Sequence, residues 1–332
     1  MITSPSRRSA IRLGSALAAA TAFPALLPSA YAQNSWPSKP IRLLVPFAPG
    51  GSSEIVARAA ASELSKTLGQ TVFVDNKPGA SGNIAMHECA NSTDGHTLIL
   101  GHIGTFAVNP FIFDKLPFDT NKDFQPISLL AKVPSLYVVN ADVPAKNLKE
   151  FIALAKSKPG RLNYGSAGNG SAGHLAFEYL KTVSETFVLH VPYRGTGPQL
   201  TDLLAGRLDA AAVGAPAILA HVKSGKLRAI ATGTKERLAL LPDVPTVAES
   251  GYPGFEMTQW YGLNAPANMP PEAIAKIADA CAKAMKNPLA TERLRGDTAQ
   301  PIGDTPAQYA AFIKTEQARW KLVAARAKIK AE

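Results

Sequence analysis

Cysteine is scarce in this chain: Cys89 and Cys281 are the two in 332 residues. They stand far apart, each in an alanine-rich setting, and a single bridge or two buried thiols are both open. The six histidines show no H-x-x-x-H spacing, and no C-x-x-C is present, so no metal-ligand cluster is expected. Beyond residue 32 no segment reaches the ~20 continuous apolar residues of a membrane span. The longest candidate, Ala210 to Val222, is interrupted by Gly214 and Pro216. Dense Lys/Arg blocks with interleaved aromatics are also missing, which argues against a nucleic-acid partner.

What is present begins with an address. Arg7, Arg8 and Arg12 precede a mostly apolar run from Leu13 to Leu27, and Ala30-Tyr31-Ala32 is an A-x-A cleavage site. Residues 1–32 are therefore expected to be a signal peptide cleaved after Ala32, through the twin-arginine route (Ser6-Arg7-Arg8) or the Sec route. An uncleaved anchor is disfavoured by Pro24, Pro28 and the short apolar run. In a Gram-negative cell the mature protein then resides in the periplasm. The leader carries three arginines and no acid, which leaves +7 of the formal +10 charge on the mature chain. That mild field attracts small anions, although it also serves solubility.

About 300 mature residues exceed a usual single core, and two lobes are expected. Short β-rich runs alternate with helical stretches, the pattern of an α/β protein with parallel sheets. Strands are expected at Arg42–Val45, Val72–Asp75, Thr97–Leu100, Leu136–Asn140, Arg161–Gly165, Val188–Pro192, Ala210–Val213 and Arg228–Thr232. Helices are expected at Glu54–Leu68, Ile84–Ala90, Leu148–Ser157, His174–Val183, Pro198–Ala205, Ala217–Ser224, Glu272–Lys286 and Pro306–Ala327, with stop signals such as Gly69 and Gly206. The helix-rich C-terminal segment most simply packs back on the first lobe. The chain would then cross between lobes near Leu136–Asn140 and near Met257–Asn264. The division reads 33–137 plus 258–332 for lobe 1 and 138–257 for lobe 2, with a ligand cleft between them at the carboxyl ends of the strands.

Five glycine- and hydroxyl-rich loops follow strands: Phe47–Glu54, Lys77–Asn83, Gly101–Thr105, Gly165–Gly173 and Tyr193–Gly197. Val45-Pro46-Phe47-Ala48-Pro49-Gly50-Gly51-Ser52-Ser53-Glu54 is the most informative, a strand, a Pro/Gly turn and a helix start. Bare N–H groups at the positive end of a helix dipole suit a carboxylate or phosphate. Each hydroxyl taken alone is an ordinary helix N-cap; several such loops around one cleft would grip an anion without a buried arginine. Tyr193, Trp260, Tyr261 and Phe47 are the aromatics expected to reach the cleft, with core packing as the plain alternative.

Two enzyme readings fail. Gly168-Asn169-Gly170-Ser171-Ala172-Gly173 matches G-x-G-x-x-G, but no acid follows about 20 residues on, and the region ends at Tyr193-Arg194. The segments around Ser81 and Ser171 each miss G-x-S-x-G by one residue, and no Asp is placed to orient His174. No cofactor is expected.

The order and spacing of Trp36-Pro37-Ser38-Lys39-Pro40-Ile41-Arg42, Val45–Gly51, Asn76–Gly82, Val191–Gly195, Gly225–Ala229 and Leu241–Glu249 resemble the Bug solute-binding proteins of tripartite tricarboxylate transporters over nearly the whole mature chain. The resemblance implies a two-lobed type II periplasmic-binding-protein (Venus flytrap) fold with a central cleft. It implies capture of an organic carboxylate (a di- or tricarboxylate, an aromatic acid or an amino acid) by a monomer that hands it to membrane permease subunits. A periplasmic sensor docking on a receptor kinase is the alternative. The resemblance implies ligand contacts at Phe47, Ala48, Gly51, Ser52, Ser53, Gly82 and Thr105 from one lobe. From the other it implies Ser166, Gly168, Ser171, His174, Tyr193 and Pro216. Glu54 departs from the family's usual Asp, leaving its role open between capping and the ligand.

Overall fold

The computed structural model describes residues 1, 36–296, 298–326 and 329–330. The leader, its cleavage after Ala32 and the expected helix end at Ala327 lie outside the described residues. Strand β1 (Ile41–Val45) is buried on both faces. Ile41, Leu43 and Val45 enter one apolar core while Leu44 enters another, the period-two signature of a strand covered on both sides. Helix α1 (Ser52–Leu68) buries Val56, Ala57, Ala60, Ala61 and Leu64 against the first of these cores. It ends at Gly69, whose φ of 69° is the left-handed cap that glycine takes freely. Each fully buried Leu or Ile of this face contributes about 1.5–3 kcal/mol.

In chain order there follow β2 (Val72–Asn76), α2 (Asn83–Ala90), β3 (Thr97–His102), a π-helical turn (Ile103–Val108), α3 (Asn109–Ile112) and β4 (Phe124–Asn140). Next come α4 (Leu148–Ser157), β5 (Asn163–Ser166), α5 (Ala172–Ser184), β6 (Leu189–Pro192), α6 (Thr196–Leu204), β7 (Ala210–Gly214), α7 (Ala215–Lys223) and β8 (Leu227–Thr232). The chain finishes with β9 (Thr258–Pro266), α8 (Pro271–Lys286), α9 (Pro288–Gly296), β10 (Gln300–Pro301) and α10 (Pro306–Arg326).

The strands join in the order β2-β1-β3-β9-β4-β7-β5-β6, with β8 and β10 also paired to β4. Strands β1, β2 and β3 are parallel, as are β5, β6 and β7. Strand β4 connects the two groups. Through Pro134 it pairs antiparallel with β9, and from Ser135 onward with β7. Helix α8 covers the first group, sharing its core with α1 through Ala273, Ile277, Ala280 and Cys281.

All eight expected strands and all eight expected helices are present. The π-helical turn, α3, α9 and β10 are additional, and two strands, β4 and β9, differ most from expectation. Only Leu136–Asn140 of β4 was expected, because Pro126 and Pro134 break a strand pattern. In the fold the register shifts next to Pro126, where a bulge accommodates the missing N–H. Residues 257–264 were expected as a crossing, and 258–266 form the buried antiparallel strand β9. Both cysteines are buried free thiols in different cores. Burial pushes the Cys281 thiol up to about 12. Among the described residues no helix is long and apolar enough to cross a membrane, and no group of three His, Cys, Asp or Glu is placed to hold a metal.

Candidate functional site

The first loop is held from both ends. Asn76 Nδ2 donates to the Phe47 carbonyl at 2.8 Å, which ties the loop to β2. Glu54 folds back so that Oε2 accepts the Gly50 N–H at 2.7 Å, while Oε1 accepts from Arg58 Nε at 2.7 Å. Glu54 therefore shapes the turn and is neutralised within its own helix. With the carboxylate turned away, Ser52 and Ser53 occupy the first turn of α1, both buried. Ser52 Oγ has no hydrogen-bond partner among the described residues.

The second and third loops pack on the first. A Cβ at Gly82 would stand 2.7 Å from Thr105 Cγ2 and 2.8 Å from Pro46 Cβ, so only glycine lets the three meet. Thr105 is fully buried and its hydroxyl is committed. It accepts the His102 N–H at 3.1 Å and donates to the His102 carbonyl at 3.2 Å. His102 reciprocates by accepting the Gly104 and Thr105 N–H groups on Nδ1, at 2.9 and 3.3 Å. This capping box starts the π-helical turn where only a loop was expected. Burial lowers the His102 imidazole to about 3.

The fourth and fifth loops come from the β5–β7 group. Ser166 Oγ lies 2.7 Å from His190 Nε2 and accepts the Gly168 N–H at 3.1 Å. His174 Nδ1 accepts the Gly170 N–H at 3.0 Å, and its ring stacks on His190 with centroids 4.3 Å apart. Burial is the main cause that lowers both, His174 to about 4 and His190 to about 3. Ser171 caps α5, accepting the His174 N–H at 3.4 Å. The Tyr193 hydroxyl donates to Asp202 Oδ2 at 2.7 Å, which leaves its ring as the face toward the loops.

The loops of the two groups touch. A Cβ on Gly197 would lie 2.7 Å from the Pro49 carbonyl oxygen, one on Gly51 would lie 2.9 Å from Thr196 Oγ1, and one on Gly104 would strike the Gly170 carbonyl. Ala48 meets Gly195 in the same contact.

Two cavities lie among these loops, and Phe47 and Ala167 form part of the wall of each. The inner one, about 30 Å³, is lined by Ser52, Ser53, His102, Ser171, Thr196, Gln199, Gly214, Gln259 and Tyr261 among others. The outer one, about 300 Å³, is lined by Pro46, Gly82, Phe113, Gly168, Pro192, Tyr193 and Arg194 among others. Among the described residues no Lys, Arg, Asp or Glu lines the inner cavity. Instead, residues at the N-termini of α1, α5, α6 and α7 converge there: Ser52, Ser171, Thr196 and the α7 cap Gly214. Such termini present N–H groups and a positive dipole end to an anion.

Of the sequence-derived contacts, Phe47, Ser52, Ser53, Gly82, Gly168, Ser171 and Tyr193 line one or both cavities. Ala48 and Gly51 stand in the loop contact beside them. Thr105, Ser166, His174 and Pro216 line neither cavity. The first three spend their polar atoms on neighbouring backbone or His190, and Pro216 sits in the first turn of α7. Tyr261 reaches the inner cavity, whereas Trp260 faces the other side of β9 and donates its indole N–H to Glu316 at 2.9 Å. His102, Gln199 and Gln259 escaped the sequence reading as contacts, while Thr196 was read as one of the loop hydroxyls though not as a family contact. Thr196 and Gln199 flank Pro198 at a helix start, which was a usable signal, but Gln259 lies on a strand that was not foreseen.

Comparison with known proteins agrees with this architecture. The profile described as tripartite tricarboxylate transporter family receptor matches residues 56–328. Protein BugT of Bordetella pertussis is 35% identical over 289 residues, covering 86% of this chain and 89% of BugT. Among solved structures, an R. palustris protein with adipate superposes with a TM-score of 0.87 at 34% identity, covering 90% of this chain and all of that one. MatC from Rhodopseudomonas palustris with bound malate gives 0.83 at 34% identity, covering 87% of this chain and 99% of MatC.

Proposed function

This chain belongs to the tripartite tricarboxylate transporter receptor family, as a Bug-type member with the two-lobed α/β periplasmic-binding-protein fold, and from that premise we propose that it captures a small organic carboxylate in the periplasm for delivery to membrane permease subunits. Family membership makes it a binding receptor and not an enzyme. The observation that carries the ligand class is the inner cavity. Four helix N-termini and a serine hydroxyl without a hydrogen-bond partner meet there, with no charged side chain among the described residues. A carboxylate supplies the acceptors those donors lack, and the dipoles supply the attraction. Bound adipate and malate in two relatives support the same class. The outer cavity has the volume for the body of such a ligand, walled by Phe47, Phe113 and Tyr193, with Arg194 at its rim.

In this reading the lobes are 33–137 plus 258–332 and 138–257, with β4 and β9 as the crossings about which they close. The loop contacts at Gly197 and Gly104 are then the closed state, whose population the ligand raises. A thermal-shift screen of mono-, di- and tricarboxylates, aromatic acids and amino acids tests the ligand class, with phosphate, sulfate and sugars as controls. At least one carboxylate is expected to raise the melting temperature by several degrees at saturation. Stabilisation by phosphate or sugar and by no carboxylate would refute the reading.

A further inference from the structure

His102 was not among the contacts read from the sequence, yet it occupies the wall of the inner cavity between Phe47 and Tyr261, ring centroids 4.6 and 6.0 Å away. Its hydrogen-bonding state is determined by its neighbours. Nδ1 accepts two backbone N–H groups, from Gly104 and Thr105. A neutral imidazole carries one hydrogen, and with Nδ1 committed as acceptor that hydrogen resides on Nε2. Nε2 makes no hydrogen bond among the described residues, and Ser52 Oγ, buried in the same wall near the Tyr261 hydroxyl, meets no partner there at full hydrogen-bond geometry. The wall thus presents two donors that no protein acceptor takes at that geometry. Its volume, about 30 Å³ for the cavity, exceeds the ~10–15 Å³ that one water molecule needs, so it has room for the two oxygens of a carboxylate.

We propose that His102 is a specificity-determining residue of this site: its Nε2–H donates to a carboxylate oxygen seated in the inner cavity and, with the Ser52 hydroxyl, selects an end group that only accepts hydrogen bonds. An ammonium or amide N–H presented to Nε2 would meet another donor and leave both unsatisfied, whereas the Ser52 hydroxyl can rotate to donate or accept. The inference rests on the carboxylate reading above. Burial keeps the ring neutral across the physiological range, so the donor needs no proton from solvent to function. The two backbone bonds to Nδ1 hold the ring in place, and Phe47, tilted against it at 54°, restricts its rotation.

Imidazole nitrogen-15 spectra of the intact mature protein test this, with acetate as the carboxylate group alone. The free protein is expected to show His102 protonated on Nε2 and bare on Nδ1, and acetate is expected to move the Nε2 resonance. In His102→Asn the amide oxygen replaces Nδ1 as the cap but stops short of the cavity. Its melting temperature without ligand should remain near that of the parent, and its acetate affinity should fall about tenfold or more. A His102 protonated on Nδ1 overturns the assignment. So does an Nε2 resonance that stays still while the Ser52 and Ser53 amides respond to acetate, and that outcome leaves the carboxylate reading standing. If no resonance responds, both fall.

Discussion

His102 and His174 perform the same local task on opposite sides of the Gly104–Gly170 contact, and they end in different roles. Each is buried, each is kept neutral by burial, and each accepts a loop N–H on Nδ1. The difference lies in the rest of the ring. His102 stands in the wall of the inner cavity. His174 stacks on His190, which in turn bonds Ser166, so the second side is closed on itself. One residue type in one capping pattern therefore serves either a ligand or a loop. Which of these it does depends on what faces the second half of the ring.

Acid titration of the three imidazoles gives the largest expected effect. A histidine whose folded value is depressed contributes full stability above about pH 6.5, its unfolded value. Below that the unfolded chain binds the proton first, and stability falls with pH until the folded value is reached, near 4 for His174 and near 3 for His102 and His190. Around the stacked pair, Glu178 favours protonation of His190 while Lys181 opposes it. Each imidazole is expected to remove about 1.4 kcal/mol per pH unit between roughly pH 6 and 4.5. Denaturant melts across that range measure the slope. His102→Asn should reduce it by one imidazole's share and the double variant His174→Asn, His190→Phe by two. Equal slopes in all three proteins would contradict the burial argument.

A smaller effect tests the contact between the two loops. In Gly104→Ala the new methyl meets the Gly170 carbonyl, which is backbone and cannot rotate aside. Overpacking of about 1–3 kcal/mol would fall on the closed form, so carboxylate affinity measured by calorimetry should drop about tenfold or more while the circular-dichroism spectrum is retained. Unchanged affinity would show that these loops do not need to touch when the ligand is held.

The smallest effect belongs to Ser171, which both caps α5 and lines the inner cavity. Ser171→Ala is expected to cost about 1 kcal/mol as a lost cap, a fall of a few degrees in melting temperature. A loss of ligand affinity larger than that of stability would move Ser171 from the scaffold side of the comparison to the ligand side.

The elements were largely legible because their signals are local. The apolar stripe of α1 and the glycine that stops it are read from one turn to the next, as are the strand ends before each glycine loop. Strand β9 was not legible, since its pattern Thr258-Gln259-Trp260-Tyr261-Gly262 mixes polar and aromatic residues that face two different layers. Most of β4, from Phe124 to Ser135, was hidden by two prolines, of which Pro126 sits at a register shift. The role of Glu54 was open for a related reason: its carboxylate had several backbone partners within reach, and the turn at Gly50 decided among them.

The sequence by itself determined the alternation of strands and helices, the glycine-rich turns at the strand ends and the absence of any charged cluster to grip an anion. Those follow from periodicity, backbone freedom and composition, which act over a few residues. The tertiary structure decided which hydroxyls stay available and which are consumed. Ser52 and Ser166 read alike in the chain, but one is left without a partner in the cavity wall and the other is bound to His190. A hydrogen bond between groups 24 residues apart depends on where two strands come to lie beside each other, and no local pattern carries that information.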